Sequence, residues 1–433
     1  MSKQVFWASS GFWLSLLICA SFTMKVFLFF HYKAYSSPTM WEFQTIAQNL
    51  LAGKGYLMSP RFGVEYKAYI APFYPILSYL IYSVFGVKPG IIMLLQIGAS
   101  CVLIYCVYVL SKELFHNFYC AFIAAGLVAF HPALIVYSVF QCHELIFIAL
   151  FYTIVLYLSL CVSRKPSLKL MMIYAVFSVL AIYTKATLVP FLVIFSLLFI
   201  FRHSNFISGV KYIFTYWIIV IALYSPWVIR NYFVLDQFVL FQSYKGECLW
   251  FGNNEYTNGS LHLENGQSVI DYTSKSDLLY KLLNSKTEID HMKLFEEAVR
   301  NFWKTYPQKA IFLTLNKFYS FWWFTSSAGM SYPSLWKKIY KVYYLPLLIF
   351  FIVGLSILFF NDKRKFTILL IFFLSYSLMH AVYYIEMRHR WCVEAIIISI
   401  ATSGFLWLLK KFKKPYALKN IPKFFEQPLE DHI

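Results

Sequence analysis

The sequence predicts an all-α, polytopic membrane protein: a helix bundle of about ten spans with interfacial helices and extracytoplasmic loops. Three observations carry this. Of the 433 residues, 60% are hydrophobic and only 13% charged, against about 25% charged in an ordinary soluble domain. Apolar runs of about 20 residues, the length that crosses a bilayer, recur along the chain. The 38 Lys and Arg exceed the 20 Asp and Glu, giving a formal net charge of +18. Much of that excess lies in short loops and the C-terminal tail, as the positive-inside rule expects. So large a charge raises the question of nucleic acid. No basic, aromatic-rich soluble face is present, and nucleic acid is set aside as a partner. The eight cysteines fall mostly in apolar spans without metal-ligand spacing, and read as small buried residues.

Taken in order, the first span covers about 7–30, with Lys3 before it and Lys25 near its outer end. It has no clear small-residue cleavage site and reads as a retained signal anchor. With the N-terminus cytoplasmic, residues 31–88 form a first outer loop. Within it Met40, Phe43, Ile46, Ala47, Leu50 and Leu51 recur at three and four, between Pro38–Thr39 and Gly53. That is an amphipathic helix lying in the interface, with Glu42, Gln44, Thr45, Gln48 and Asn49 on its other face. The run 73–86 is apolar but short and bounded by prolines. A full span there would turn the loops at Ser111–Glu113 and Ser163–Lys165 outward, so it reads as a second interfacial or re-entrant helix.

Spans follow at about 89–111, 118–138, 144–162, 169–184, 187–202 and 209–228. Residues 233–308 are the only long polar segment, with an amphipathic helix at about 288–304 and the sequon Asn258-Gly259-Ser260. An outer loop of this length is usually functional. Residues 309–326, with Lys317 in the middle, read as another interfacial helix. The last spans are about 339–360, 366–386 and 391–409, before the cytoplasmic tail Lys410–Lys414. The chain thus divides into an N-terminal transmembrane module (1–232), an extracytoplasmic loop with an interfacial helix (233–338) and a C-terminal transmembrane module with its tail (339–433).

Against this topology the informative charges are those on the outside. Lys185, Arg230, Arg388 and Arg390 fall at outer ends of spans, at the level of the bilayer surface. Together they suit a lipid-linked phosphate. The competing reading is snorkelling, or pairing with Glu386, Glu394 or Asp236. The outer acids are Glu42, Glu65 and Glu144, with Glu394 just inside the last span. Before Lys112 only Glu42 and Glu65 are acidic, which makes Glu42 the leading candidate for acid–base chemistry. Two plainer roles compete: Thr39-Met40-Trp41-Glu42 fits a capping box, and Glu144 at a span start complements a helix dipole. His131 and His143 read as structural. No metal is required by these residues, since the outer acids do not cluster in sequence. No Ser/His/Asp elbow, P-loop or dinucleotide glycine motif is present.

Several segments in order resemble the GT-C type integral-membrane glycosyltransferases, the group with protein O-mannosyltransferases and lipid A aminoarabinose transferases. They are Glu42–Tyr56, Pro72–Pro75, Glu144 after His131-Pro132, Thr184-Lys185, Pro226–Tyr232 followed by Gly252-Asn253-Asn254, Tyr306–Trp322, and Arg388–Glu394. The resemblance implies transfer from a polyprenyl-phosphate sugar to a lipid, glycan or protein acceptor of the cell envelope, on the outer face of a bacterial inner membrane. It implies no cofactor beyond the lipid-linked donor. Glu42 would be the general base with Glu144 assisting, and Lys185, Arg230, Arg388 and Arg390 would hold the donor phosphate. The chain departs from the family at one point. The family's first-loop Asp, a few residues before the aromatic at Phe43, is absent, and the stretch reads Ser36-Ser37-Pro38-Thr39. Either Glu42 substitutes, or the base lies elsewhere, or the scaffold binds or translocates lipid-linked glycan without catalysis.

Overall fold

The computed structural model describes residues 3–263, 265–324 and 334–412, and they form the expected polytopic helical bundle. The first span is α1 (Lys3–His31). The loop after it holds α2 (Glu42–Leu51), strands β1 (Met58–Arg61) and β2 (Val64–Tyr66), and α3 (Phe73–Phe85). The antiparallel hairpin was not expected. Its turn, Phe62-Gly63, has positive φ at both residues (48° and 82°), the backbone that a two-residue hairpin favours.

The bundle continues with α4 (Pro89–Phe115), α5 (Phe118–Ala129), α6 (Pro132–Val139), α7 (Leu145–Arg164), α8 (Leu168–Thr184), a 3-10 turn at Ala186–Leu188, α9 (Val189–Arg202) and α10 (Phe206–Leu235). An outer layer follows: α11 (Lys245–Phe251), α12 (Leu278–Leu283), α13 (Glu288–Thr305) and α14 (Pro307–Trp322). Then come α15 (Ser334–Asn361), α16 (Lys363–Val382) and α17 (Met387–Phe412). Of the basic tail, Lys413 and Lys414 lie outside the described residues.

Ten full spans is an overcount. Among the described residues seven helices are long and apolar enough to cross a membrane, or eight if α5 and α6 form one broken span. That pair bends by 49° where Pro132 opens α6 and the His131 ring caps it, accepting from the Leu134 N–H. α8 has 17 residues and α9 only 14. At 1.5 Å per residue even 17 cover roughly 26 Å, short of a hydrocarbon core of about 30 Å. α3, with 13 residues, is shorter still, as an interfacial or re-entrant helix should be.

α7 and α17 form the centre, with 83% and 67% of their most apolar stretches buried. α15 lies close against α17 at Gly354 and Gly404, where a Cβ on either would strike a carbonyl of the other helix. At one end of the bundle Arg164 pairs with Glu113 at 3.0 Å, and Lys365 Nζ donates to the Glu113 carbonyl at 2.8 Å. Arg364 reaches the Ser163 carbonyl at 3.4 Å. The basic loops near 113, 164 and 364 therefore share one side, and the loops carrying α2, α3 and α11–α14 occupy the other.

That outer layer is fastened to the bundle at the turn between α16 and α17. Lys317, fully buried on α14, donates to the carbonyls of Gly252 (2.9 Å), Val382 (3.2 Å) and Tyr383 (3.0 Å) and to Asn253 Oδ1 (3.1 Å). Asn253 Nδ2 also donates to the Val382 carbonyl at 2.8 Å. Ser260 Oγ donates to the Ile385 carbonyl, and the Ile385 N–H to the Gly259 carbonyl, both at 3.0 Å. Gly252 lies so close to the Tyr383 carbonyl that no side chain fits. The sequon's Ser260 is thus buried in a structural joint. Removing the ammonium would strand several buried acceptors, each at roughly 1–3 kcal/mol. Lys317→Met should therefore lower the unfolding temperature in detergent markedly, with faster hydrogen exchange at 383–386. An unchanged transition would show that the joint holds without it.

Candidate active site

Glu42 owes its place to a backbone pairing. The Thr39 N–H donates to the Phe140 carbonyl at 3.3 Å, and the Cys142 N–H to the Thr39 carbonyl at 3.1 Å. This short bridge lays the start of α2 beside the segment that leads into α7. It also corrects the capping-box reading. Trp41, not Thr39, is the N-cap of α2, extended at φ −124° and ψ 176°, with no side-chain cap. Glu42 is the first helical residue, so its carboxylate is not folded back to close the helix start. Among the described residues it makes no hydrogen bond or ion pair. It lines a cavity of about 380 Å³ with Trp41, Gln44, Thr45 and Gln48.

The bridged segment brings His143 and Glu144 alongside. The His143 ring meets Trp41, Tyr137 and Phe43 edge-on at 5.0, 5.1 and 5.6 Å. Its Nδ1 accepts from the Leu145 N–H at 3.0 Å. Burial, reinforced by Arg388 and Lys185, holds its pKa well below the usual histidine range, so it is a neutral structural ring. Glu144, buried at the N-cap of α7, lies 3.6 Å from Lys185 Nζ. Burial pushes its carboxyl up to about 7 and Glu42 adds to the rise, against the pull of Lys185 and Arg388.

Lys185 sits where α8 breaks into the 3-10 turn, its carbonyl held by the Tyr152 hydroxyl at 2.9 Å. Its side chain is 35% exposed, so the ammonium bridges a buried carboxyl and open space. Arg388, on the first turn of α17, lays its guanidinium 4.9 Å from the centre of the Trp41 ring, with Nε 2.7 Å from Glu386. Glu42, Glu144, Lys185 and Arg388 therefore converge around Trp41 and His143, though they are scattered over almost the whole chain.

Arg390 and Arg230 stand apart from that group. Two residues along a helix turn the side chain by about 200°, so Arg390 faces inward where Arg388 faces out. It is fully buried, 3.7 Å from the Tyr344 ring centre, and Nη1 donates to the Phe321 (3.1 Å) and Trp323 (2.8 Å) carbonyls. Glu394 is also inside the bundle, bonded by Tyr340 and 3.5 Å from His131 Nε2. Arg230 donates to the carbonyls of Lys67 (2.5 Å) and Tyr56 (3.4 Å) and stacks on Tyr56 and Trp227. It ties α10 to the first outer loop. The neighbouring Trp227 and Asn231 do the same for the 239–241 stretch.

Sequence reasoning missed one ion pair. Arg61 on β1 bonds Glu247 of α11 and lies over Tyr69 (5.5 Å) and Tyr244 (5.9 Å). Burial pushes the Glu247 carboxyl up to about 7, with Arg61 opposing and Glu42 adding to the rise. The two residues are 186 positions apart, and no local motif marks them. Glu65 is exposed on β2. Among the described residues, no three His, Cys, Asp or Glu side chains converge as metal ligands.

No protein-family model and no curated protein matches the chain. Solved structures do. The archaeal oligosaccharyltransferase AglB from Archaeoglobus fulgidus, in complex with an inhibitory peptide and a dolichol-phosphate, gives a TM-score of 0.52 at 12% identity, covering 93% of this chain and 51% of its own. The Archaeoglobus fulgidus oligosaccharyltransferase in complex with Zn and sulfate gives 0.51 at 12% identity, covering 91% and 49%. ArnT from Cupriavidus metallidurans bound to undecaprenyl phosphate gives 0.43 at 12% identity, covering 91% and 78%. The chain spans about half the length of the oligosaccharyltransferase. Its membrane fold is shared with that enzyme, and the resemblance to GT-C type glycosyltransferases holds at the level of fold.

Glu144 and Glu247 generate a test. Burial pushes each carboxyl from its ordinary value of 4.5 up to about 7. Between those pH values the folded chain binds protons that the unfolded chain has released, so both residues make stability fall as pH rises from about 4.5 to about 7. The double variant Glu144→Gln/Glu247→Gln should lose less unfolding temperature than wild type between pH 5 and 7 in detergent. Parallel curves would contradict the burial argument.

Proposed function

We propose that this chain is a membrane glycosyltransferase that moves a sugar from a polyprenyl-phosphate-linked donor to an acceptor hydroxyl on the extracytoplasmic face. The membrane we assign is a bacterial inner membrane, with the site on its periplasmic side. The observation that carries the reading is the unpaired Glu42 carboxylate at a cavity, beside a rim that holds Lys185 and Arg388. The basic loops gathered at the opposite end of the bundle support the sidedness. The dolichol-phosphate in the AglB complex, a protein of the same fold, supports a lipid-linked donor.

The chemistry follows from these placements. Glu42 accepts the acceptor's proton while the acceptor oxygen forms its bond to the anomeric carbon. The bond from that carbon to the phosphate oxygen breaks, and the electron pair leaves with the lipid phosphate. Lys185 and Arg388 stabilise the charge on the departing phosphate. Glu144, buried and paired with Lys185, orients the ammonium. Arg230 and Arg390 act at a distance, Arg230 by holding the first outer loop and Arg390 by holding the end of α14. A second reading, non-catalytic binding or translocation of lipid-linked glycan, draws on Ser36-Ser37-Pro38-Thr39 standing where the family's Asp is expected.

Purified protein given polyprenyl-phosphate sugars and envelope acceptors separates the two readings. Glu42→Gln should lower turnover roughly 10²–10⁴-fold while donor binding persists. Full turnover in that variant sinks Glu42 as the base, and the absence of turnover with every donor favours the binding reading. Arg388→Ala and Lys185→Ala should each weaken donor binding by about tenfold or more, the scale of a lost charge-assisted hydrogen bond. Unchanged affinity in both would remove them from the donor site.

A further inference from the structure

We propose that the cavity beside Glu42 is a carbohydrate pocket, and that Gln44, with Trp41, Thr45 and Gln48, selects a neutral, polyhydroxylated acceptor. The inference rests on the transfer reading above and narrows its acceptor class. Gln44 and Thr45 lie four and three residues before Gln48, so these three share one face of α2, and Trp41 immediately precedes the helix as its N-cap. All four line the same cavity as Glu42. Its volume of about 380 Å³ lies within the roughly 300–1,000 Å³ of small-molecule sites.

The state of the polar atoms points to a ligand. Gln44 is 2% exposed, and the Tyr82 hydroxyl donates to its Oε1, fixing the amide. Its Nε2 has no partner. The Trp41 indole Nε1–H is likewise buried and unpaired. A buried donor without an acceptor costs roughly 1–3 kcal/mol; both donors belong to residues that line the cavity, so turning either side chain toward an acceptor oxygen held there would recover that cost. Neither Thr45 nor Gln48 has a side-chain hydrogen bond among the described residues.

The chemistry of the wall chooses the ligand class. Met40 and Met58 supply an apolar part of the wall, as the C–H face of a sugar requires; the indole N–H, amide and hydroxyl groups are neutral, and together they both donate and accept. Sugar hydroxyls do the same at closely spaced positions. Of the two rim cations, Arg388 lies over the Trp41 ring and is paired with Glu386, and Lys185 is paired with Glu144. Glu42 is the one acid among the cavity residues, placed to accept a proton from a hydroxyl that the amide face has aligned.

The test is direct binding to the full chain in nanodiscs, independent of turnover. Maltotriose, glucuronate and a blocked Gly-Ser-Gly peptide serve as probes, read by saturation-transfer NMR and by titration. The proposal expects maltotriose to bind in preference to the other two. It expects Gln44→Leu and Gln48→Ala each to weaken that binding by about tenfold, with lipid-phosphate binding unchanged. Gln48 is exposed, so its variant keeps the test sound if Gln44→Leu fails to fold. Equal or tighter binding of glucuronate or the peptide, no maltotriose binding, or maltotriose affinity unmoved by Gln48→Ala would each overturn the pocket. Transfer onto a lipid or peptide acceptor without sugar binding would overturn the pocket and leave the transferase standing. Sugar binding with no turnover from any donor would support the pocket and sink the transferase.

Discussion

The architecture depends on one buried ammonium. Lys317 on α14 reaches four oxygens, three of them main-chain carbonyls, contributed by the loop after α11 and by the end of α16. An ammonium has three protons, so the four acceptors share them at distances between 2.9 and 3.2 Å. Burial disfavours the charged form and pulls Lys317 down to about 7, and the four oxygens around Nζ offset that cost. In return Lys317 locks the outer layer against the turn that launches α17. That turn sets the direction of Arg388, and Arg388 meets the first outer loop at Trp41. Arg388 of the cationic rim thus follows within a few residues of the joint at Val382, Tyr383 and Ile385.

The same economy of charge explains the site. The chain carries 20 acids against 38 Lys and Arg. The buried acids are committed: Glu144 to Lys185, Glu247 to Arg61, Glu288 to Ser243 and two main-chain N–H groups, and Glu394 to Tyr340 and His131. Glu42 is half-buried, faces a cavity and has no such commitment. A carboxylate in that state is free to meet a ligand in the cavity, which a capped or paired one would not be. Its field still reaches Glu144 and Glu247, each of which it pushes upward, so the three acids share one electrostatic environment.

Much of this was legible in the chain. The period of Met40 to Leu51 and the stop at Gly53 gave α2 to within a few residues, and the polar segment gave α13, which opens with a Thr287–Asp290 capping box. Hydropathy gave the bundle but counted short helices as spans, because apolar composition alone does not measure whether 17 residues reach across. Local patterns misled where long-range pairing won. Thr39 looked like a cap, yet its backbone pairs with the residues flanking Gln141. Arg388 and Arg390 were grouped by their side of the membrane, although helix period alone turns them to opposite faces. Gly252-Asn253-Asn254 stands out in the chain only as part of a family resemblance, and in the fold Gly252 and Asn253 form the joint with Lys317, Val382 and Tyr383. The Arg61–Glu247 pair joins two loops that no periodicity connects.

The most direct test of the account is a structure of the chain with a bound polyprenyl phosphate. The account predicts the phosphate in contact with Lys185 and Arg388, on the side of the bundle that carries α2, with the Glu42 cavity open beside it. A phosphate held instead at the basic end formed by Arg164, Arg364 and Lys365 would contradict it.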